Sequence, residues 1–142
     1  MPTDPHFDKF IVFKGVHWDV YVSERGRNNL GRLYVWLHRD GIIDYDDLTD
    51  EERKELLQLF AKFKKILKDL FDFDGPLNFA YLANNESHKH HCHYHIVPRY
   101  KEPRTFEGVE FVDPTWGTQW KSAMMDEELA LALKDKIKAV LN

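Results

Sequence analysis

"HHCHYHIVPRY" occupies residues 90–100 and sets His91, His93 and His95 at alternate positions, with Cys92, Tyr94 and Ile96 between and after them. Five of the chain's eight histidines fall between His88 and His95, a density that background composition does not supply. In an extended strand alternate side chains share a face, so His91, His93 and His95 line one side, neighbours roughly 7 Å apart. His90, Cys92, Tyr94 and Ile96 point the other way, a mix suited to packing against a helix. Pro98 stops the strand.

Around this strand the pattern alternates between strand and helix signals. "KFIVFKGVHWDVYVS" (9–23) reads as two strands about Lys14-Gly15. "ERGRNNLG" (24–31) is a loop whose Gly26, Asn28, Asn29 and Gly31 can take unusual backbone angles. "RLYVWLH" (32–38) is a third strand, with Leu33, Val35 and Leu37 on one face. Thr49 and Glu52 have capping-box spacing. Behind them Leu56, Leu59, Phe60, Phe63, Leu67, Leu70 and Phe71 recur at helical spacing until Gly75-Pro76. "LNFAYLA" (77–83) is a fourth strand, "NNESHK" (84–89) a turn, and the histidine stretch the fifth strand. A loop with Pro103, Gly108, Pro114 and Gly117 leads to a closing amphipathic helix, with Leu129, Leu133, Ile137 and Val140 on one face. The order predicts an α+β fold on an antiparallel sheet, residues 1–142 forming one domain.

Composition narrows the function. The 142 residues are 43% hydrophobic and 31% charged, as in a soluble globular protein. The net charge of −4 gives no general attraction to a polyphosphate backbone, so extended nucleic acid is not an expected partner. Cys92 is the only cysteine, which excludes a disulfide framework and a cysteine-rich zinc module. With no leader-like opening and no membrane-length apolar run, a cytoplasmic location is expected, without a membrane partner.

An imidazole with pKa about 6.5 is largely neutral near pH 7. If one ring nitrogen donates to a backbone carbonyl, the other becomes a positioned nucleophile or base. His93 alone has an imidazole on both sides, suited to holding phosphate oxygens while its nitrogen attacks phosphorus. Arg99, with Lys101 and Arg104 beyond, is placed to neutralise further anionic charge. Two rivals stand beside this reading. Histidines merely satisfied by hydrogen bonds are the common case for a single residue, less so for three on one face. His-x-His on a strand also suits zinc, with His88 as a further ligand, and the strand alone leaves metal and nucleophile both open.

"HHCHYHIVPR" resembles the signature of histidine triad (HIT) proteins: alternating histidines, an apolar pair, then Pro-Arg. "LGRLYVWLHR" resembles their upstream Gly-His-apolar-x-Val segment, and "DYDDLTDEERKEL" their Asp-Leu-Thr helix start. The resemblance spans roughly Val16 to Lys101. It implies a five-stranded antiparallel sheet with the long helix packed on it, usually in a homodimer. It also implies a hydrolase or nucleotidyl transferase acting at a nucleotide α-phosphate, on diadenosine polyphosphates or nucleoside phosphoramidates. By position, His93 would be the nucleophile, His91 would orient it and His95 would contact the phosphate. No tightly bound cofactor or protein-held metal is implied, beyond a divalent cation accompanying a polyphosphate substrate.

Three positions depart from the family pattern. Ser87 stands where Gln is frequent and His88 where a small hydroxyl residue is common; both are assigned to phosphate or leaving-group contacts. Arg32 replaces the histidine of Gly-His and, being permanently charged, is expected to pair with an acid or a phosphate. Rough alignment puts Glu24 at the ribose hydroxyls, beside the plainer reading of a solvated loop acid, and leaves Val20 and Val22 either facing the base or in the core. Asn78 and Asn84 flank the fourth strand, Asn84 being the assigned phosphate contact, while Trp116 and Trp120 either stack on a base or pack under the loop. Two alternatives stay open: a nucleotide-sensing module of weak turnover, and a zinc protein using the histidine cluster. The DNA-end-processing, mRNA-cap and galactose-1-phosphate uridylyltransferase branches do not fit the single cysteine, the charge and the length.

Overall fold

The computed structural model describes residues 5–84 and 91–141. Strands β1 (Ile11–Lys14), β2 (Trp18–Val22), β3 (Leu33–Leu37), β4 (Leu77–Ala80) and β5 (His93–Pro98) form one sheet in the order β1-β2-β3-β5-β4, every pair antiparallel. The expected five-stranded α+β architecture is therefore present. Helix α1 (Asp50–Phe71) joins β3 to β4, and helix α2 (Glu127–Leu141) closes the chain.

Alternation sorts the sheet into two faces. Trp18, Val20, Leu33, Val35, Leu37, Tyr94 and Ile96 join one apolar cluster with Leu56, Leu59, Phe63 and Leu67 of α1 and with Leu133 and Ile137 of α2. Val20 is thus plain core rather than a base contact, whereas Val22 belongs to the cluster and also borders the cavity described below. Cys92 is fully buried in this cluster, and burial pushes its thiol up to about 12, so it is an inert packing residue. On the opposite face the register forms two rows, Asp19–Trp36–His93 and Tyr21–Tyr34–His95. A third follows from the Ser23 N–H donating to the Arg32 carbonyl at 3.0 Å.

Helix α1 is fixed at both ends. The Thr49 hydroxyl accepts from the Glu52 N–H while the Glu52 carboxylate accepts from the Thr49 N–H, and Asp72 closes the helix at φ 54°. Glu52 is buried and bound by Arg39 at 2.7 Å, which holds its carboxyl down at about 2. From the same helix the Glu55 carboxylate accepts the N–H groups of His17 and Trp18, setting the β1–β2 turn. Thr49→Ala removes one half of the box and is expected to cost about 1 kcal/mol, read from chemical denaturation.

The structure corrects several expectations. Of the four loop residues between β2 and β3, only Gly31 takes a positive φ, 84°, and a Cβ there would lie 2.4 Å from Leu67 Cδ2. Asn28 and Asn29 instead use their amides as donors to the Lys121 and Pro98 carbonyls. The buried stripe of α2 runs through Ala130, Leu133 and Ile137, leaving Val140 half exposed. The stretch read as a loop after residue 103 holds a hairpin, β6 (Arg104–Phe106) and β7 (Val109–Phe111), turned at Glu107 and Gly108, both with positive φ. A 3₁₀ turn over Pro5–Phe10 precedes β1. Among the described residues no helix is long and apolar enough to cross a membrane.

Candidate active site

The imidazole face opens into a cavity of about 450 Å³, within the range of small-ligand pockets. His93 and His95 line it from β5, and Tyr34 and Arg32 from β3 or its edge. Glu24 and Arg25 come from the β2–β3 loop, Trp120 and Ser122 from the segment before α2, and Phe7 from the N-terminal 3₁₀ turn.

β5 begins at His93, so His91 lies just before the strand rather than within it. The three rings remain together through Trp36, whose indole stacks on His91 at 4.4 Å and 12° and on His93 at 5.2 Å and 26°. His95 meets His93 edge-on, ring centroids 5.0 Å apart. His93 is almost completely buried, and its Nδ1 lies 2.7 Å from the His91 carbonyl oxygen. A carbonyl only accepts, so Nδ1 carries the proton and Nε2 the lone pair. The residue that orients His93 is therefore His91, but through its backbone. The His91 imidazole donates from Nε2 to the Leu37 carbonyl at 2.6 Å, and burial lowers its pKa, favouring the neutral ring.

This arrangement does not suit one ion held by three imidazoles. The ring nitrogens of His91, His93 and His95 do not come within 4.8 Å of one another as a set, and one nitrogen each of His91 and His93 is turned to a carbonyl. Among the described residues the groups with metal-ligand spacing are His6, Glu24 and Glu127, and Asp44, Asp46 and Asp47. In the first, Glu24 is bound to His6 at 2.6 Å and Glu127 to Lys9.

Other sequence-assigned residues divide. Glu24 lines the cavity, its carboxylate turned to His6. Trp120 lines it with its ring 6.5 Å from His95, whereas Trp116 sits outside, under the Lys101 ammonium. Ser87 and His88 lie outside the described residues. Asn84 sits in an exposed turn after β4 and does not border the cavity.

Arg99, expected from the sequence to face substrate, does not border the cavity. It is buried and donates to both Asp113 oxygens at 2.5 and 3.3 Å, to Asn78 Oδ1 at 2.8 Å, and to the carbonyls of Thr115 and Thr118 at 2.6 and 2.8 Å. Each arm of its guanidinium donates to the segment leading to Trp120, and Nη1 also reaches Asn78 on β4. Burial alone would raise Asp113, but Arg99, the Thr115 N–H and the Asn29 amide hold its carboxyl below the usual range. Arg104 likewise serves the fold, donating to the Phe71 and Asp72 carbonyls at the end of α1.

Arg32 departs from expectation in the other direction: among the described residues it pairs with no acid. It is 3% exposed, its Nη1 donating to Ser122 Oγ at 2.7 Å and to the Arg25 carbonyl at 3.2 Å. Burial and the neighbouring Arg25 push its pKa down to about 10. Trp36, Tyr34 and Ser122 were not singled out from the sequence. The first two follow from applying to β3 the alternation that exposed the triad; Ser122 had no local signal.

No family model matches the chain, and no curated protein matches it in sequence. Solved structures do match in fold. A histidine triad protein from Sinorhizobium meliloti 1021 is 17% identical with TM-score 0.68, over 96% of this chain and 93% of that one. A histidine triad protein from Marinobacter aquaeolei VT8 is 20% identical with TM-score 0.67, over 98% and 94%. The diadenosine triphosphate hydrolase of Plasmodium falciparum is 16% identical with TM-score 0.61, over 94% and 77%. In architecture the chain has the histidine triad fold.

Proposed function

We propose that the chain is a histidine triad nucleotide hydrolase or nucleotidyl transferase that works through a nucleotidyl-histidine at His93. The observation that carries this reading is the His93 Nδ1 contact to the His91 carbonyl, which puts the proton on Nδ1 and the lone pair on Nε2 in a residue that lines the cavity. In the first step the Nε2 lone pair forms a bond to the α-phosphorus. The bond from phosphorus to the leaving oxygen or nitrogen breaks, and the leaving group departs with its electron pair and takes a proton. The ring becomes cationic, and the His91 carbonyl, already accepting from Nδ1–H, stabilises that charge. Trp36 stacked on the ring holds its plane and favours the cation. Water then attacks phosphorus and releases to solvent a proton that balances the one the leaving group took from it, the Nε2–P bond breaks, and nucleoside monophosphate leaves with the imidazole restored.

Dinucleoside polyphosphates and nucleoside phosphoramidates are the proposed substrates. A divalent cation would accompany only the polyphosphate, no cofactor is tightly bound, and the working form is a cytoplasmic homodimer. The test is product analysis with diadenosine tetraphosphate and adenosine phosphoramidate, each with and without chelator. Adenosine monophosphate release from the phosphoramidate, insensitive to chelator, is expected. Chelator-abolished, zinc-restored turnover would transfer the chemistry to a metal, and tight monophosphate binding without turnover would make the chain a sensing module.

A further inference from the structure

We propose that Arg32, held by Ser122 and the Arg25 carbonyl, is a second anion subsite of the cavity, for an oxyanion the substrate carries away from the phosphorus attacked by His93. The inference rests on the nucleotide reading only for the identity of the rest of the ligand. Arg32 is 3% exposed, yet among the described residues it forms no ion pair, and its buried Nε has no hydrogen-bond partner. A guanidinium taken out of water normally finds a carboxylate, and an unmet buried donor is costly. Here the nearest partners are a hydroxyl and a carbonyl, both neutral, and the residue borders the cavity. The adjacent carboxylate, Glu24, is turned to His6 instead. Arg25 adds a second cation to the same end, so the cavity is locally basic in a chain of net charge −4.

The position of this subsite follows from the sheet register. Arg32, Tyr34 and Trp36 share a face, and Trp36 lies opposite His93 and Tyr34 opposite His95. Arg32 is therefore one step beyond the His95 row and two beyond the His93 row, each step being roughly 7 Å along the backbone. Trp120 spans the interval, its ring 6.5 Å from His95 and 5.9 Å from the Arg32 guanidinium. That spacing fits one small molecule with an anion at each end better than one phosphate gripped by both. The second oxyanion is either a phosphate on the sugar or a carboxylate on the base side.

Calorimetric titration of wild type, Arg32→Gln and Arg32→Lys separates these sources. The probes are adenosine 5′-monophosphate, adenosine 2′,5′- and 3′,5′-bisphosphate, and adenylosuccinate, which carries carboxylates on the base. At least one probe with a second anionic group is expected to bind wild type about tenfold or more tighter than the monophosphate. Arg32→Gln should abolish that preference, and Arg32→Lys, which keeps the charge but not the fork, should retain part of it. A bisphosphate preference assigns the sugar phosphate, an adenylosuccinate preference the carboxylate. Equal binding of all four probes to wild type, a result independent of whether any variant folds, overturns the subsite while leaving the nucleotide reading intact. If no nucleotide binds, that reading fails, and inorganic phosphate and succinate decide the subsite. Binding lost in Arg32→Gln sustains it, and binding that is absent or unchanged overturns it.

Discussion

Alanine in place of His93 is expected to lower turnover of adenosine phosphoramidate by roughly 10⁴-fold or more, with the fold and monophosphate binding retained. The size follows from the role. A group that forms and breaks the bond to phosphorus has no substitute in water at the same position, whereas a group that only binds is lost by one or two powers of ten. His93 sits on β5 between a carbonyl that fixes its tautomer and an indole that fixes its plane, so its removal leaves the other walls of the cavity standing. His95→Ala should cost less, since its part in the proposed reaction is contact with the phosphate rather than the bond itself. Steady-state kinetics of both variants, with circular dichroism to establish folding, distinguish the two roles. Equal losses at His93 and His95 would point to binding, not covalent chemistry.

Arg99→Met is expected to destabilise the protein by about 3–5 kcal/mol, a large part of the 5–15 kcal/mol typical of a domain. The mutation strands the Asp113 carboxylate, 1% exposed, with the Asn29 amide and Thr115 as its remaining partners among the described residues. It also removes the donors to the Thr115 and Thr118 carbonyls. Combining it with Asp113→Asn should cost less than the sum of the single changes, because the stranded charge is gone. Denaturant titration reads this directly. The pH arm has a definite sign. Asp113 and Glu52 both have folded pKa values below their ordinary ones, so their stabilisation is full above the unfolded values and is lost as pH falls through the folded values. For Glu52 that window runs from about 4.5 down to about 2. Wild-type stability should fall steeply across it, and less steeply in Glu52→Gln.

These two residues also show what the sequence could and could not reveal. The triad was legible because alternation in an extended backbone is local: His93 and His95 share a face of β5, and His91, just before the strand, stays with them by stacking on Trp36. The capping box at Thr49 was legible for the same reason. The Arg99–Asp113 pair was not legible because its members lie 14 residues apart across a loop, and no local pattern distinguishes an arginine facing a ligand from one facing a buried acid. The β6–β7 hairpin was missed because each strand is three residues long, too short for an alternation signal. Trp36 could have been found, since Arg32, Tyr34 and Trp36 alternate with the Leu33, Val35 and Leu37 that were read as core. Long-range closure of the cavity by Phe7 and Ser122 had no signal in the sequence at all.

The most direct test of covalent catalysis at His93 is rapid quench of the protein during turnover of adenosine phosphoramidate, followed by intact mass and peptide mapping at neutral pH. One acid-labile adenylyl group is expected on the peptide that contains His93, and none on His93→Ala. Turnover with no adduct on wild type, or an adduct on any other residue, would rule out covalent catalysis at His93.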